Sequence, residues 1–439
     1  MLLSIIIFAV TYLLIITEKV DKSISALLGA GAVIMLHAAP MEELLGKVDL
    51  NVLSLLVGMM ITVDILSTTG VFEWIAIVIA RKAKGNGLVI LIEFLLITAL
   101  LSAFLDNVTT VILIAPITIL ITQILEIPTV PILILEAIFS NIGGTATLVG
   151  DPPNIIIGSQ TPLGFNDFLM HLGPAVLLVT VILTVMTFFV FRKHVKASPE
   201  TIKRIMSAKP ELAIIAPDRM KRALGVLALI LLGFFCSRLI NVEPGIIALC
   251  GGLLMVVVCG MDMHKVLLQV EWTTILFFVG LFVLIGGMEA NGVFEALGQH
   301  IVKATQGNLL LTTMAILWCS ALFSAVVDNI PLVIAMIPLI KSIIPVFAAQ
   351  KGIVGSEELI HVQVQQPLFW ALALGACLGG NGSLIGASAN VVIAQIARRN
   401  KYSLTFWGFT RYGIPMMLIS LIICSAYMFL RYFMTGTEF

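Results

Sequence analysis

Apolar runs of nearly membrane-spanning length recur from one end of this chain to the other, and they dictate its fold class. Pro174 to Val190 and Trp272 to Met288 are two of them, each approaching the ~30 Å of a hydrocarbon core when helical. With 59% hydrophobic and 11% charged residues and a mean hydropathy of +1.11, the chain has too few charges for a soluble exterior. The expected fold is an all-α polytopic membrane protein in the cell's inner (plasma) membrane. Met1 to Ile16 lacks a basic leader and is expected to be a first span. Zero net charge gives no ground for a nucleic-acid partner. Cys236, Cys250, Cys259, Cys319, Cys377 and Cys424 form no CxxC pair and are expected to be small buried hydrophobes.

The chain repeats itself. At a shift of 222 residues, Ala26-Leu27 and Gly29 fall on Ala248-Leu249 and Gly251, and Gly70-Val71-Phe72-Glu73 on Gly292-Val293-Phe294-Glu295. Gly85-Asn86 falls on Gly307-Asn308, Ser102-Ala103 on Ser324-Ala325, Asp106-Asn107 on Asp328-Asn329, and Pro116 on Pro338. At a shift of 236, the run from Gly143 to Gly150 falls on Gly379 to Gly386, and Asn154 on Asn390. A polar insertion near Gly352 to Val364 absorbs the difference. Such duplication is a signature of transporter architecture.

Residues 1–191 and 223–439 are therefore expected to be two copies of one transmembrane unit. Between them, 192–222 carries nine Lys/Arg against three Asp/Glu and should be a cytoplasmic linker by the positive-inside rule. Spans are expected near 2–17, 23–38, 51–68, 131–158 and 172–191, with a short helix near 71–81. The segments 88–124 and 309–346 are expected to be re-entrant hairpins turning at Asp106-Asn107 and Asp328-Asn329. Five crossings per copy is an odd number, so the copies should be inverted, with both termini outside. All Lys/Arg except Lys47, Arg238, Lys303, Lys341, Lys351 and Arg431 then fall on the cytoplasmic side.

Two segments per copy carry the chemistry. An acidic residue within a membrane costs about 2.5–3.5 kcal/mol on insertion scales and marks function by default. Asp106 and Asp328 sit at the hairpin tips, each beside an asparagine able to donate and accept. The bland alternative is a capped turn. The glycine-rich runs Gly143 to Asn154 and Gly379 to Asn390 disfavour regular helix. A span broken there would present carbonyls together with Thr145 and Thr147, or Asn381 and Ser383. Such groups suit hard cations, hydronium and neutral hydroxylated solutes. Glu73 and Glu295 belong on interfacial helices. Asp64, Glu93 and Glu136 lie in apolar runs without repeat partners, as proton relays or helix-pairing groups. No Walker A, HExxH or GxSxG motif is present, so the expected protein is not an enzyme and needs neither cofactor nor metal.

This constellation resembles the ion transporter superfamily, which holds divalent anion/sodium symporters, NhaD-type antiporters, ArsB and the P protein. The segments Ser102 to Thr110 and Gly150-Asp151-Pro152-Pro153-Asn154 are most similar to the ArsB and P protein branch. The resemblance implies two inverted repeats, each with a re-entrant hairpin and a broken helix at the substrate site. In sodium–dicarboxylate relatives the tips carry Ser-Asn-Thr. Here they read Asp106-Asn107-Val108 and Asp328-Asn329-Ile330, a titratable carboxylate that suggests proton coupling and that can also bind sodium.

The expected function is secondary active transport, with proton-coupled efflux of arsenite or antimonite first, and a sodium/proton antiporter or anion carrier as the alternative. A passive channel would differ in conducting after the proton gradient collapses. Expected substrate ligands are Asn107, Thr109, Thr145, Thr147, Asn154, Asn329, Asn381, Ser383 and Asn390. Asp106, Asp328 and Asp151 are expected to carry protons. No thiol lies in either motif, which suits release of trivalent arsenic. Expected partners are a small inorganic solute, protons or sodium, and lipid. The sequence leaves open a homodimer and a soluble ATPase subunit.

Overall fold

A computed structural model describes residues 1–17, 19–84, 86–192, 206–353 and 355–434, and its regular structure is entirely helical. The first half contains α1 (Leu2–Thr17), α2 (Lys22–Met35), α3 (Met41–Gly46), α4 (Leu50–Ser67), α5 (Val71–Lys82) and α6 (Gly87–Phe104). It continues with α7 (Asn107–Leu125), α8 (Thr129–Gly144), α9 (Pro152–Gln160), α10 (Phe165–His171) and α11 (Gly173–Phe191). The second half contains α12 (Pro217–Ile240), α13 (Pro244–Cys259), α14 (Met263–Gln269), α15 (Trp272–Glu289), α16 (Val293–Ala304) and α17 (Leu309–Ser324). It ends with α18 (Asn329–Gln350), α19 (Glu357–Ile360), α20 (Gln366–Gly379), α21 (Ser388–Arg399) and α22 (Phe406–Phe429).

Among the described residues, eight helices have the length and apolarity to cross a membrane. They become nine if α16 and α17, bent by 117°, are counted as one span. The protein is a multi-pass membrane protein. The expected spans near 2–17 and 23–38 are α1 and α2, of 16 and 14 residues, or roughly 21–24 Å at 1.5 Å per residue. The apolar segment 88–124 is two helices of 18 and 19 residues, each long enough for a full span. Its counterpart runs past the expected end at Val346, to Gln350.

Local chemistry sets the boundaries. Asp49, Asn86, Asp106, Asn308 and Asp328 each accept backbone N–H bonds as N-caps, supplying partners that the first turn of a helix lacks. Gly70 and Gly292, one repeat apart, precede α5 and α16 with φ of 80° and 68°, the left-handed region open to glycine. Ile215 N–H donates to Thr69 O at 3.0 Å, tying the end of the expected linker to the α4–α5 turn. Helix α12 begins at Pro217, within the segment 192–222. Residues 193–205 of that segment lie outside the described residues. The insertion near Gly352 to Val364 carries α19 and a π-helical turn, His361–Gln365, that leads into α20.

The helices pack in two groups, and each group draws on both halves of the sequence. In one, α4 packs on α13 and α2 on α15, with α1 and α12 beside them. In the other, α6 packs on α8 and α17 on α20, while α7 meets α21 and α9 meets α18 across the halves. Each contact recurs at the positions given by the repeat shifts. Gly143 lies against the backbone of Ala99, and Gly379 lies against Ala321 in the same way, so a side chain at either glycine would separate the helices.

Candidate functional site

The glycine-rich segments are true helix breaks. Between α8 and α9, residues 145–151 are non-helical, and between α20 and α21 a single 3₁₀ turn, Gly380–Gly382, precedes an irregular stretch. The carbonyls freed by the first break are not open to solvent. Asn154 Nδ2 donates to Gly144 O, Thr145 O and Thr147 O at 3.4, 3.1 and 2.9 Å. Asn390 Nδ2 does the same for Gly380 O and Ser383 O, at 2.9 Å each. The threonine hydroxyls are also engaged: Thr145 Oγ1 donates to Asn141 O at 2.7 Å, and Thr147 Oγ1 donates to Ala103 O. The expectation of free carbonyls and hydroxyls is corrected accordingly. Buried backbone polar groups must be paired, and the asparagine of each break pairs them.

The tips sit beside these breaks. Asn107 N–H donates to Gly150 O at 3.1 Å. Asp106 Oδ1 accepts from Val108 and Thr109 N–H at 2.9 and 3.1 Å, and its other oxygen accepts from the Thr109 hydroxyl. At the second tip Pro331 replaces that threonine, and the partners come from elsewhere. Asp328 Oδ2 accepts from Lys22 Nζ at 3.2 Å and from Ser388 Oγ at 3.1 Å, while Oδ1 accepts from Ile330 N–H at 3.3 Å. Both aspartates are therefore helix caps, the bland reading of their position, and Asp328 is also in an ion pair.

The halves meet in a chain of buried amides. Asn107 Nδ2 donates to Asn141 Oδ1 at 3.1 Å, and Asn141 Nδ2 donates to Asn381 Oδ1 and Asn390 Oδ1, both at 2.9 Å. Asn329 Nδ2 reaches Asp151 Oδ1 at 3.4 Å. Asn107 Oδ1, Asp151 Oδ2 and Asn381 Nδ2 are buried and make no hydrogen bond. Orphaned polar atoms of this kind are uncommon in a folded interior. Asn107 Oδ1 and Asn381 Nδ2 belong to the amide chain and Asp151 Oδ2 to the Asn329 pair, both of which bridge the two halves, as they would around a polar ligand or water.

Asn141, Lys22, Ser388 and Cys377 escaped the sequence reading. Position 141 plus 236 is Cys377, so a search for residues shared by both copies passes over Asn141. Lys22 looks like an ordinary topogenic charge. Cys377 is not the inert hydrophobe expected, since its Sγ donates to Asn154 Oδ1 at 3.6 Å. A thiol thus stands beside the site although neither motif contains one. Cys250 and Cys319 are exposed rather than buried. Glu73 and Glu295 are exposed on α5 and α16.

A bundle of apolar helices, two of them broken around a buried polar centre, defines the class: a multi-pass membrane transporter. Residues 12–375 match the family model described as citrate transporter. An uncharacterized transporter of Mycobacterium tuberculosis is 40% identical over 98% of each chain. The 46 kDa membrane protein of Mycobacterium leprae is 39% identical over the same share. The P protein of Homo sapiens is 31% identical over 98% of this chain and 60% of that protein. The chain belongs to the citrate transporter family of the ion transporter superfamily.

Proposed function

We propose that the protein is a proton-coupled secondary transporter that exports a small uncharged hydroxylated solute, with arsenite and antimonite as the first substrates to test. In this reading residues 1–191 and 223–439 are inverted copies of five spans and a re-entrant hairpin, joined by the cytoplasmic linker. The observation that carries it is the set of orphaned atoms on Asn107, Asp151 and Asn381 where the halves meet. Trivalent arsenic near neutral pH is a small neutral polyol, which amides and a carboxyl can hold without a countercharge. Asn107, Asn381 and Asp151 are the direct ligands, with Asn329 and Ser383 beside them. Thr109, Thr145, Thr147, Asn154 and Asn390 shape the site. Asp106, Asp328 and Asp151 carry protons.

Alternating access is supported by an asymmetry between the two ends. At the end assigned outside, Asp49 accepts from Ser159 Oγ at 2.8 Å and Gln160 Nε2 at 2.5 Å, latching α4 to α9. The repeat shifts carry Asp49 to Glu271 and Ser159 to Gln395. Among the described residues no hydrogen bond joins that pair, and the Glu271 carboxylate accepts from its neighbour Thr274 at 3.1 Å. A cavity of about 440 Å³ opens at that end, lined by Leu384, Arg398, Lys401, Tyr402 and Phe406 among others. One latch closed and its counterpart open is what an inward-facing state requires.

The family description favours a second reading, an anion carrier. A free tricarboxylate would meet Asp106, Asp151 and Asp328, and the cation bonded among them, Lys22, is already paired. Citrate therefore fits only when it enters with protons or metal cations. The test is uptake into everted vesicles energised by a pH gradient, using arsenite, antimonite, citrate and sodium with a pH-sensitive dye. Arsenite accumulation that collapses with the gradient, and is lost in Asp106→Asn or Asp328→Asn, supports the proposal. Citrate accumulation without arsenite movement rejects the substrate, and flux that persists without a gradient rejects coupling.

A further inference from the structure

A carboxyl group of α8 lies buried against the two helices of the first hairpin. Glu136 of α8 is 1% exposed. Its Oε1 accepts from Thr118 Oγ1 of α7 at 3.0 Å, and its Oε2 has no hydrogen-bond partner. Thr98 of α6, also fully buried, places its hydroxyl beside this carboxyl. The titratable groups carried by the helices packed against α8 are Glu93 on α6, Cys377 on α20, Arg398 and Arg399 on α21, and Arg411, Tyr412, Cys424 and Tyr427 on α22. None of them makes an ion pair or hydrogen bond with Glu136.

Glu136 is one member of a buried polar row. Towards the base of the hairpin, Thr122 and Thr129 share a hydrogen bond at 2.9 Å. Thr118 lies one turn from Thr122 on α7, and Glu136 two turns from Thr129 on α8. Towards the tip, Ser140 lies one turn beyond Glu136 and Ser102 one turn beyond Thr98. Ser140 Oγ donates to Ser102 Oγ at 3.2 Å and to Asn107 O at 2.9 Å. Hydroxyls spaced about one turn apart thus line these helices from the hairpin base, past the carboxyl, to the tip.

The second copy is an internal control. The repeat shifts carry Thr118, Thr122, Glu136 and Ser140 to Ile340, Ile344, Leu372 and Ala376, all buried in the corresponding α18–α20 contact. Packing of these helices therefore needs no polar row. We propose that Glu136 is a proton-binding site of the transport cycle, and that the Thr122–Thr118–Glu136–Ser140 row connects it between the hairpin base and the Asn107 tip. The inference rests on the proton-coupled reading above. It adds an asymmetry, since the row along α7 and α8 has no polar counterpart at the matching positions of α18 and α20.

The test uses the full-length protein in lipid vesicles with two readouts. Infrared difference spectra between H2O and D2O should show a protonated, hydrogen-exchanging carboxyl band that disappears as pH is raised and is missing from Glu136→Gln. Its absence from the wild type, or its persistence in the variant, overturns the proposal whatever the substrate is. In arsenite uptake, one coupled proton supports about tenfold accumulation per pH unit. Glu136→Gln should bring this to no accumulation while arsenite exchange continues, and Thr122→Ile should slow proton movement. If Glu136→Gln accumulates arsenite normally, the proposal fails and the broader reading stands. If the wild type moves arsenite without protons, or not at all, the broader reading fails and the infrared band still decides the site.

Discussion

Asn141 donates its amide N–H to Asn390 Oδ1 at 2.9 Å, joining a helix of the first half to the broken helix of the second. The shift of 236 carries Asn141 to Cys377 and Asn390 back to Asn154, and Cys377 donates to Asn154 Oδ1 at 3.6 Å. One contact is thus written twice, as an amide on one side and a thiol on the other.

Asn141 holds three other side chains, so Asn141→Ala should be costly. Asn107 loses an acceptor, and Asn381 and Asn390 each lose a donor. A buried polar group left unsatisfied costs about 1–3 kcal/mol. The thermal midpoint in detergent should fall well below that of Cys250→Ala, a change at an exposed position. Equal midpoints would mean that water replaces the asparagine without loss.

Cys377 is expected to act as a hydrogen-bond donor and not as an arsenic ligand, because one thiol offers no chelate. Cys377→Ser keeps a donor facing Asn154 and should leave arsenite transport and its pH dependence unchanged. Loss of arsenite binding in this variant would assign the thiol to the substrate.

The latch at Asp49 predicts a shift in conformation. Asp49→Ala removes the acceptor for Ser159 and Gln160, so the outward-open state should gain population. Cysteines placed at Glu271 and Gln395 should then crosslink in higher yield through a short bismaleimide than they do with Asp49 intact. An unchanged yield would leave the asymmetry between the two ends without a role in gating.

Topology is tested by labelling. Single cysteines at Lys209 and Gly352, both exposed, should react with impermeant reagents from opposite faces in a background cleared of native thiols. Reaction of both from one face is incompatible with inverted copies.

The sequence alone determined the membrane class, most of the helix positions and the repeat that relates the halves. Each rests on local chemistry: apolar length, capping at Asp49, Asp106 and Asp328, and glycines at Gly143 and Gly379 where backbones touch. It marked the tips and breaks because their residues are polar where polarity is expensive. Tertiary structure decided which of those groups remain free. Thr145, Thr147 and Asn154 read as ligands in one dimension, yet Thr145 and Asn154 bond the backbone of the broken helix and Thr147 bonds Ala103 O of α6. Lys22, Asn141 and Ser388 came to the centre only when α2, α8 and α21 met there. Whether a buried polar atom is satisfied depends on neighbours hundreds of residues away, and no local pattern encodes that.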